Sequence, residues 1–148
     1  MALTIRPLTA ADEAEWRRLW TLYLEFYETT VPEAVYASAF ARNLSDEHPD
    51  LNALVVERPD GAGLMGLVHY IFHRHNWRTE DIVYLQDLFV DPDVRGGGVG
   101  RQLIQAVYAA ADAAGTPAVY WMTQEFNYKG RMLYDQVATR SPFIQYRR

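Results

Sequence analysis

Cysteine is absent from the chain. That excludes disulfides, thiolate metal sites and a thiol nucleophile. No apolar run approaches the roughly 20 residues that a membrane-spanning helix needs. The opening MALTIRPL lacks the layout of a secretory signal. A cytoplasmic location with no membrane partner is therefore the expectation. Basic residues are in deficit, 14 Lys and Arg against 19 Asp and Glu, for a net charge of −5 and a pI near 5.3. Such a balance argues against a nucleic-acid partner and suits a cationic small substrate. Internal repeats, low-complexity tracts and interdomain linkers are missing as well, so the 148 residues read as one domain, 1–148.

What is present is a hydrophobic content of 49% with 14% aromatics, which marks a globular chain with a sizeable core. The most informative stretch runs from Tyr84 to Ala114 and reads as strand, glycine loop and helix. Ile82 to Val90 is apolar and β-branched enough for a buried strand, and Pro92 stops it. Arg95-Gly96-Gly97-Gly98-Val99-Gly100 follows, and a helix begins at once with Val99, Leu103, Ile104, Val107, Tyr108 and Ala111 on one face. Gly115 and Pro117 close it. Without Cβ atoms the loop backbone turns sharply and approaches a ligand closely. Its free N–H groups, backed by the positive end of the helix dipole, suit a phosphate or pyrophosphate. Arg95 and Arg101 bracket the turn as further donors. A nucleotide P-loop needs Lys-Ser/Thr where this chain has Arg101-Gln102, and a dinucleotide motif needs a third glycine where it has Leu103.

Elsewhere, Leu3 and Ile5 alternate with polar residues as a first strand of about five residues. Thr9 to Asp12 resembles a capping box opening a helix from Ala10 to about Glu28. Trp16, Leu19, Trp20, Tyr23 and Tyr27 line one face of that helix, and its lower end gathers Tyr23, Glu25, Tyr27 and Glu28 as a lining for an amine pocket. A second helix is predicted from Pro32 to Leu44. Strands follow at Asn52 to Glu57 and Gly63 to Phe72, where Gly66 signals a bulge or a close backbone approach. His69, His73 and His75 share a face if the strand continues. No convincing further ligands accompany them, so no metal is expected; one of the three is expected to face the acceptor pocket. Ala118 to Thr123 reads as a buried strand, Asn127 to about Gln136 as a short helix, and Ser141 to Arg147 as a last strand closing the sheet.

Arg95-x-x-Gly98-x-Gly100, after a strand ending in Leu88-Phe89-Val90, resembles the acetyl-CoA motif of the GNAT superfamily of N-acetyltransferases. The pattern matches at every fixed position. Downstream, Asn127 and Tyr134, seven residues apart, both have counterparts in the family. The likeness covers Ile82 to the C-terminus well and the first half by element order only. It is greatest to the branch of polyamine, thialysine and histone-type acetyltransferases. The resemblance implies a single α/β domain in three layers, with a mixed, largely antiparallel sheet, helices on both faces and a splayed central parallel pair. Acetyl-CoA would enter that splay as co-substrate, with Leu88, Phe89, Val90, Arg95, Gly96, Gly97, Gly98, Val99, Gly100, Arg101 and Asn127 as its binding residues.

An amine attacks a thioester directly, so the reaction needs no protein nucleophile, in keeping with a chain that lacks cysteine and a serine–histidine motif. The family-implied oxyanion donor is the amide of Leu88 or Phe89. Tyr134 is the expected proton donor to the departing thiolate. An ammonium with a pKa of about 10.4 must also lose a proton. Polyamine-type relatives carry Glu-Asp at the point where this chain has Gln86-Asp87, and glutamine takes no proton, so Asp87 or Glu125 is left for that task. Tyr27, Glu28, Gln86 and Glu125 are the candidate acceptor-binding residues. The acceptor is read as the primary amine of a polyamine-, lysine- or amino-acid-like small molecule, with a protein or peptide lysine as the alternative. A non-catalytic acyl-CoA-binding module would show the same sheet; Tyr134 and Asn127 favour the enzyme. The terminal FIQYRR and the aromatic content lead to the expectation of a homodimer.

Overall fold

The computed structural model describes residues 2–148. In chain order it runs β1 (Ile5–Pro7), a 3-10 turn (Ala10–Asp12), α1 (Glu13–Phe26), α2 (Glu33–Leu44), β2 (Leu51–Glu57), β3 (Leu64–His73) and β4 (Ile82–Val90). A second 3-10 turn (Pro92–Val94), α3 (Val99–Ala113), β5 (Val119–Tyr120) and α4 (Tyr128–Val137) complete it. The strands form one sheet in the order β1-β2-β3-β4-β5. Every neighbouring pair is antiparallel except β4 and β5, which run parallel.

Strands β2 to β4 are apolar on both faces because helices cover both. On one side Trp16, Leu19, Trp20 and Leu24 of α1 and Phe40 of α2 pack on Ala53, Val55, Leu67 and Phe89. On the other, Val99, Leu103, Ile104, Val107 and Ala111 of α3 pack on Val56, Met65, Val68, Tyr70, Val83 and Leu85. Fully burying one such side chain stabilises the fold by about 1.5–3 kcal/mol. Gly66 is where α3 presses closest to β3: a Cβ there would stand 3.3 Å from Leu103 Cδ1, Val99 Cγ1 and the Phe89 carbonyl. The predicted close approach is therefore present, and a bulge lies beside it, between Val56 and Glu57 of β2.

Two further joints fix α1. Arg6 grips Asp12 through both carboxylate oxygens at 2.8 and 2.9 Å and reaches Glu57 at 2.6 Å. Asp12 also accepts from the Thr9 amide at 2.8 Å, and this is the capping box. At the far end of β4, the buried Asp91 carboxylate takes Arg18 of α1 at 2.9 Å and Arg58 at 2.7 Å.

Three sequence expectations need correction. Residues 141–147 form no strand: the Ser141 hydroxyl accepts from the Phe143 amide at 3.1 Å and bends the chain. Pro142 offers no amide to a ladder. Phe143, Ile144 and Tyr146 accordingly stand 80%, 76% and 88% exposed. The strand expected over 118–123 is paired only at Val119 and Tyr120. Helix α2 starts one residue later than expected, with Pro32 as its extended N-terminal flank.

Candidate active site

Strand β4 carries the site because of one extra residue. Its pairing with β3 steps from Tyr70 opposite Leu85 to His69 opposite Asp87, leaving Gln86 without a counterpart. A bulge of this kind reverses which side chains face which layer. Val83 and Leu85 pack toward α3; beyond the bulge Leu88 and Val90 do so, and Phe89 packs toward α1. Asp87 goes with Phe89 to the α1 side.

The bulge reverses the backbone too. The Val83 amide donates to the Ala118 carbonyl at 2.9 Å, so before the bulge the odd residues address β5. The Asp91 amide donates to the Met65 carbonyl at 2.9 Å, so after it the odd residues address β3. By the alternation of antiparallel ladders, the amides of Leu88 and Val90 turn away from β3. There they meet no strand, because β5 leaves β4 after Val83 and Tyr84. The result is a V-shaped opening with the free backbone edge of 85–90 on one side. Arg95 closes its lower end by donating to the Val90 carbonyl at 3.1 Å and lying over the Phe89 ring.

Asp87 is held from behind. Trp16 Nε1 donates to His69 Nε2 at 2.9 Å, and His69 Nδ1 lies 2.7 Å from Asp87 Oδ2. An indole nitrogen only donates. Nε2 must therefore be the accepting nitrogen, and Nδ1 carries the proton toward the carboxylate. Tyr23 faces the same carboxylate; burial first, then the Asp87 charge, push its phenol pKa far above the usual range. Tyr23 and Tyr27 rings meet edge to face at 5.1 Å. Burial also raises Tyr27, against hydrogen bonding from Thr123. Tyr134 of α4 packs edge to face on Trp121 at 5.6 Å, and burial, then Tyr27, raise its phenol. Tyr27 thus stands between the other two, close enough to feel the Asp87 charge and to act in turn on the Tyr134 phenol.

The glycine loop caps α3 without a side chain. Gly96 and Gly98 have φ of 93° and 77°, and Gly98 is the residue that opens the helix. A Cβ at either would meet nothing within 4 Å, so the loop is open to a ligand. No side chain accepts from the first-turn amides of Val99, Gly100 and Arg101. Arg101 itself donates to Gln136 of α4.

Asn127 caps α4. Its Oδ1 accepts from the Gly130 amide at 3.3 Å and its Nδ2 donates to Thr123 at 2.9 Å. Glu125 stands away from Asp87: it is exposed, lies 3.8 Å from Arg140, and lines with Tyr134 a cavity of about 490 Å³ beside the C-terminal segment. A smaller cavity of about 170 Å³ lies on the α1–α2 side and is lined by His69, Gln86 and Asp87. Glu28 is exposed and holds a left-handed φ of 56°, just past the end of α1. The Thr29 amide reaches the Leu24 carbonyl at 3.0 Å and the Glu28 amide reaches Glu25 at 2.9 Å, a Schellman stop with glutamate in the glycine position.

The three histidines are kept apart. His69 serves Asp87, His73 meets the Tyr120 hydroxyl at 2.9 Å, and His75 accepts from the Trp77 amide. No metal-binding cluster occurs among the described residues. The role of Trp16 was not legible in the sequence, where it reads as one more core aromatic of α1.

Comparison with known proteins places this geometry. Residues 16–138 match the family described as the Acetyltransferase (GNAT) family. A D-amino-acid N-acetyltransferase of Saccharomyces cerevisiae is 36% identical over 146 residues, covering 99% of this chain and 90% of that protein. A thialysine N-epsilon-acetyltransferase of Sus scrofa is 30% identical over 114 residues, 73% of this chain and 64% of that protein. Among solved structures, an aminoglycoside N-acetyltransferase in complex with CoA superposes with a TM-score of 0.82 at 20% identity, over 99% of this chain and 94% of that one. A ribosomal-protein-alanine N-acetyltransferase from Brucella melitensis biovar Abortus 2308 gives 0.80 at 24% identity, over 99% and 97%.

Proposed function

The chain belongs to the GNAT acetyltransferase family, and from that premise we propose that it moves the acetyl group of acetyl-CoA to the primary amine of a small molecule, by direct attack in a ternary complex. The observation that carries this reading is the β4 bulge at Gln86, which turns the Asp87 carboxylate to the α1 side of the sheet and the Leu88 amide into the opening.

The loop of Gly96, Gly97, Gly98, Val99 and Gly100 fits a pyrophosphate: its backbone is open and its helix amides are unclaimed by side chains. Acetyl-CoA supplies the thioester whose carbonyl carbon the amine attacks. Of the two amides considered from sequence, that of Leu88 has the geometry to donate to the oxygen that gains charge, while that of Phe89 belongs to the β3 ladder. Tyr134, kept protonated by its burial, gives its proton to the leaving sulfur and regains one, through water, as the nitrogen sheds its second proton on forming the amide. Asp87 takes the proton of the incoming ammonium, directly or through water. Its Oδ2 is pinned by His69, which fixes where the proton is received. Glu125, the other carboxylate considered, is exposed and 3.8 Å from Arg140, whereas Asp87 is held in place by His69.

Location in the cytoplasm and association as a homodimer belong to the same reading. Its support is the net charge, the absence of a spanning helix among the described residues, and the exposed Phe143, Ile144 and Tyr146. The test of function is a panel of primary amines incubated with acetyl-CoA, with free CoA detected. Turnover on one class of amine is the expected result. Acetyl-CoA binding with no turnover on any amine would instead make the chain a binding module.

A further inference from the structure

The β4 bulge also decides which residue faces His69. An unbroken ladder would follow the pair Tyr70–Leu85 with His69 opposite Gln86; the extra residue sets His69 opposite Asp87 instead. His69 is buried, and so is Trp16 of α1 behind it. The hydrogen bonds therefore run through three elements in line, from Trp16 Nε1 to His69 Nε2 at 2.9 Å and from His69 Nδ1 to Asp87 Oδ2 at 2.7 Å. From β2 only Ala53 pairs with His69. Among the described residues, Asp87 is the one carboxylate lining the cavity beside it. The line ends at the carboxylate that takes the ammonium proton, not at a backbone carbonyl.

The direction of this line is set at its far end. The Trp16 ring is clamped, stacked on Trp20 at 5.1 Å, tilted on Phe40 at 5.2 Å and edge to face with Tyr36 at 6.2 Å. Trp20 closes on the His69 ring as well, edge to face at 5.8 Å. An indole so held keeps its N–H on Nε2, and an indole N–H only donates. The other tautomer of His69 would set N–H against N–H at Trp16 and lone pair against lone pair at Asp87. We propose that Trp16 and His69 are positioning residues for acetyl transfer: Trp16 fixes the tautomer of His69, and His69 thereby holds Asp87 by Oδ2 and leaves Oδ1 to receive the proton of the ammonium. The proton passes from the amine nitrogen to Oδ1. The indole and the imidazole keep theirs throughout, so the line orients the base and relays nothing. This inference rests on the acetyl-transfer reading given above and adds the residues that prepare its base.

Two measurements test it, one of them without turnover. Nitrogen-15 NMR of the full chain labelled at histidine, with the His69 signals identified by their loss in His69→Asn, should show a proton on Nδ1 and none on Nε2. In Trp16→Phe the two tautomers should mix. Steady-state kinetics on an amine the chain acetylates is the second. Trp16→Phe should lower kcat about 3–10-fold and His69→Leu about 10–100-fold, with KM for acetyl-CoA little changed. His69→Asn, whose amide nitrogen stands where Nδ1 does, should recover most of that loss. Trp16→Phe leaves a gap in the core, so its effect is also measured in the His69→Leu background, where the same gap is present. There it should cost no further kcat, because a residue that acts through another has nothing left to act on. A proton on Nε2 in the wild-type chain, an equal loss in both backgrounds, or wild-type kcat in Trp16→Phe overturns the proposal and leaves acetyl transfer standing. The expected tautomer with no turnover of any amine overturns the acetyl-transfer reading, and the positioning role with it.

Discussion

A single phenol bears the sharpest functional prediction. Tyr134→Phe preserves the packing on Trp121 and removes only the proton. If Tyr134 protonates the thiolate, kcat falls by about 10²–10⁴-fold while KM for acetyl-CoA changes little. Wild-type turnover with an unaltered melting temperature would leave solvent as the proton donor. Glu28 carries a different expectation. Its left-handed φ of 56° is strained for a glutamate, and glycine relieves such strain. Glu28→Gly should stabilise the protein by about 1 kcal/mol, read as a higher denaturant midpoint with an unchanged slope. An unchanged midpoint would show that the glutamate side chain offsets the strain. At this scale the sequence was only partly legible. Tyr134 stood out through its spacing from Asn127 and a family likeness, whereas the His69 tautomer depends on Trp16, 53 residues away, and no local pattern encodes that contact.

The elements that build the site are the bulged strand and the capless helix. The helix was readable because glycines at positive φ and an apolar stripe are both local signals. Gly98→Glu places a charge at the mouth of the loop and adds strain at φ 77°. Gly98→Ala adds the strain without the charge. Binding of acetyl-CoA should collapse in the first and weaken far less in the second, measured by calorimetry on variants shown to be folded. Equal affinities in the two variants would remove the pyrophosphate from this loop. The bulge was not readable. Ile82 to Val90 is an unbroken apolar strand around Gln86-Asp87, and the extra residue appears only when its register with β3 is known. The expected last strand failed for a related reason. FIQY has strand-forming side chains, but Pro142 and the Ser141 turn keep it off the sheet edge.

Across the whole molecule, apolar periodicity marks the helices and most of the strands, the family resemblance implies helices on both faces of a mixed sheet, and the charged joints lock α1 to that sheet. Those joints set acid sensitivity. Arg6, ahead of the opposing effect of burial, holds the Asp12 carboxyl at about 2, below its ordinary value near 4. Asp91 is lowered against the penalty of its burial, by the Asp93 amide and by Arg18 and Arg58. A depressed carboxyl contributes stability that is complete above the unfolded value and lost as pH falls through the folded one. Melting temperature should therefore hold down to about pH 4 and drop between about pH 4 and 2, and Asp12→Asn should flatten that drop. A drop of the same size in the variant would deny Asp12 a part in it.

The central claim is that amine and acetyl-CoA react directly, side by side on β4. Initial velocities with both substrates varied, and the product identified by mass, test it most directly. Intersecting double-reciprocal lines with an N-acetylated amine as product are predicted. Parallel lines, with an acetylated form of the protein trapped before the amine is added, would contradict it.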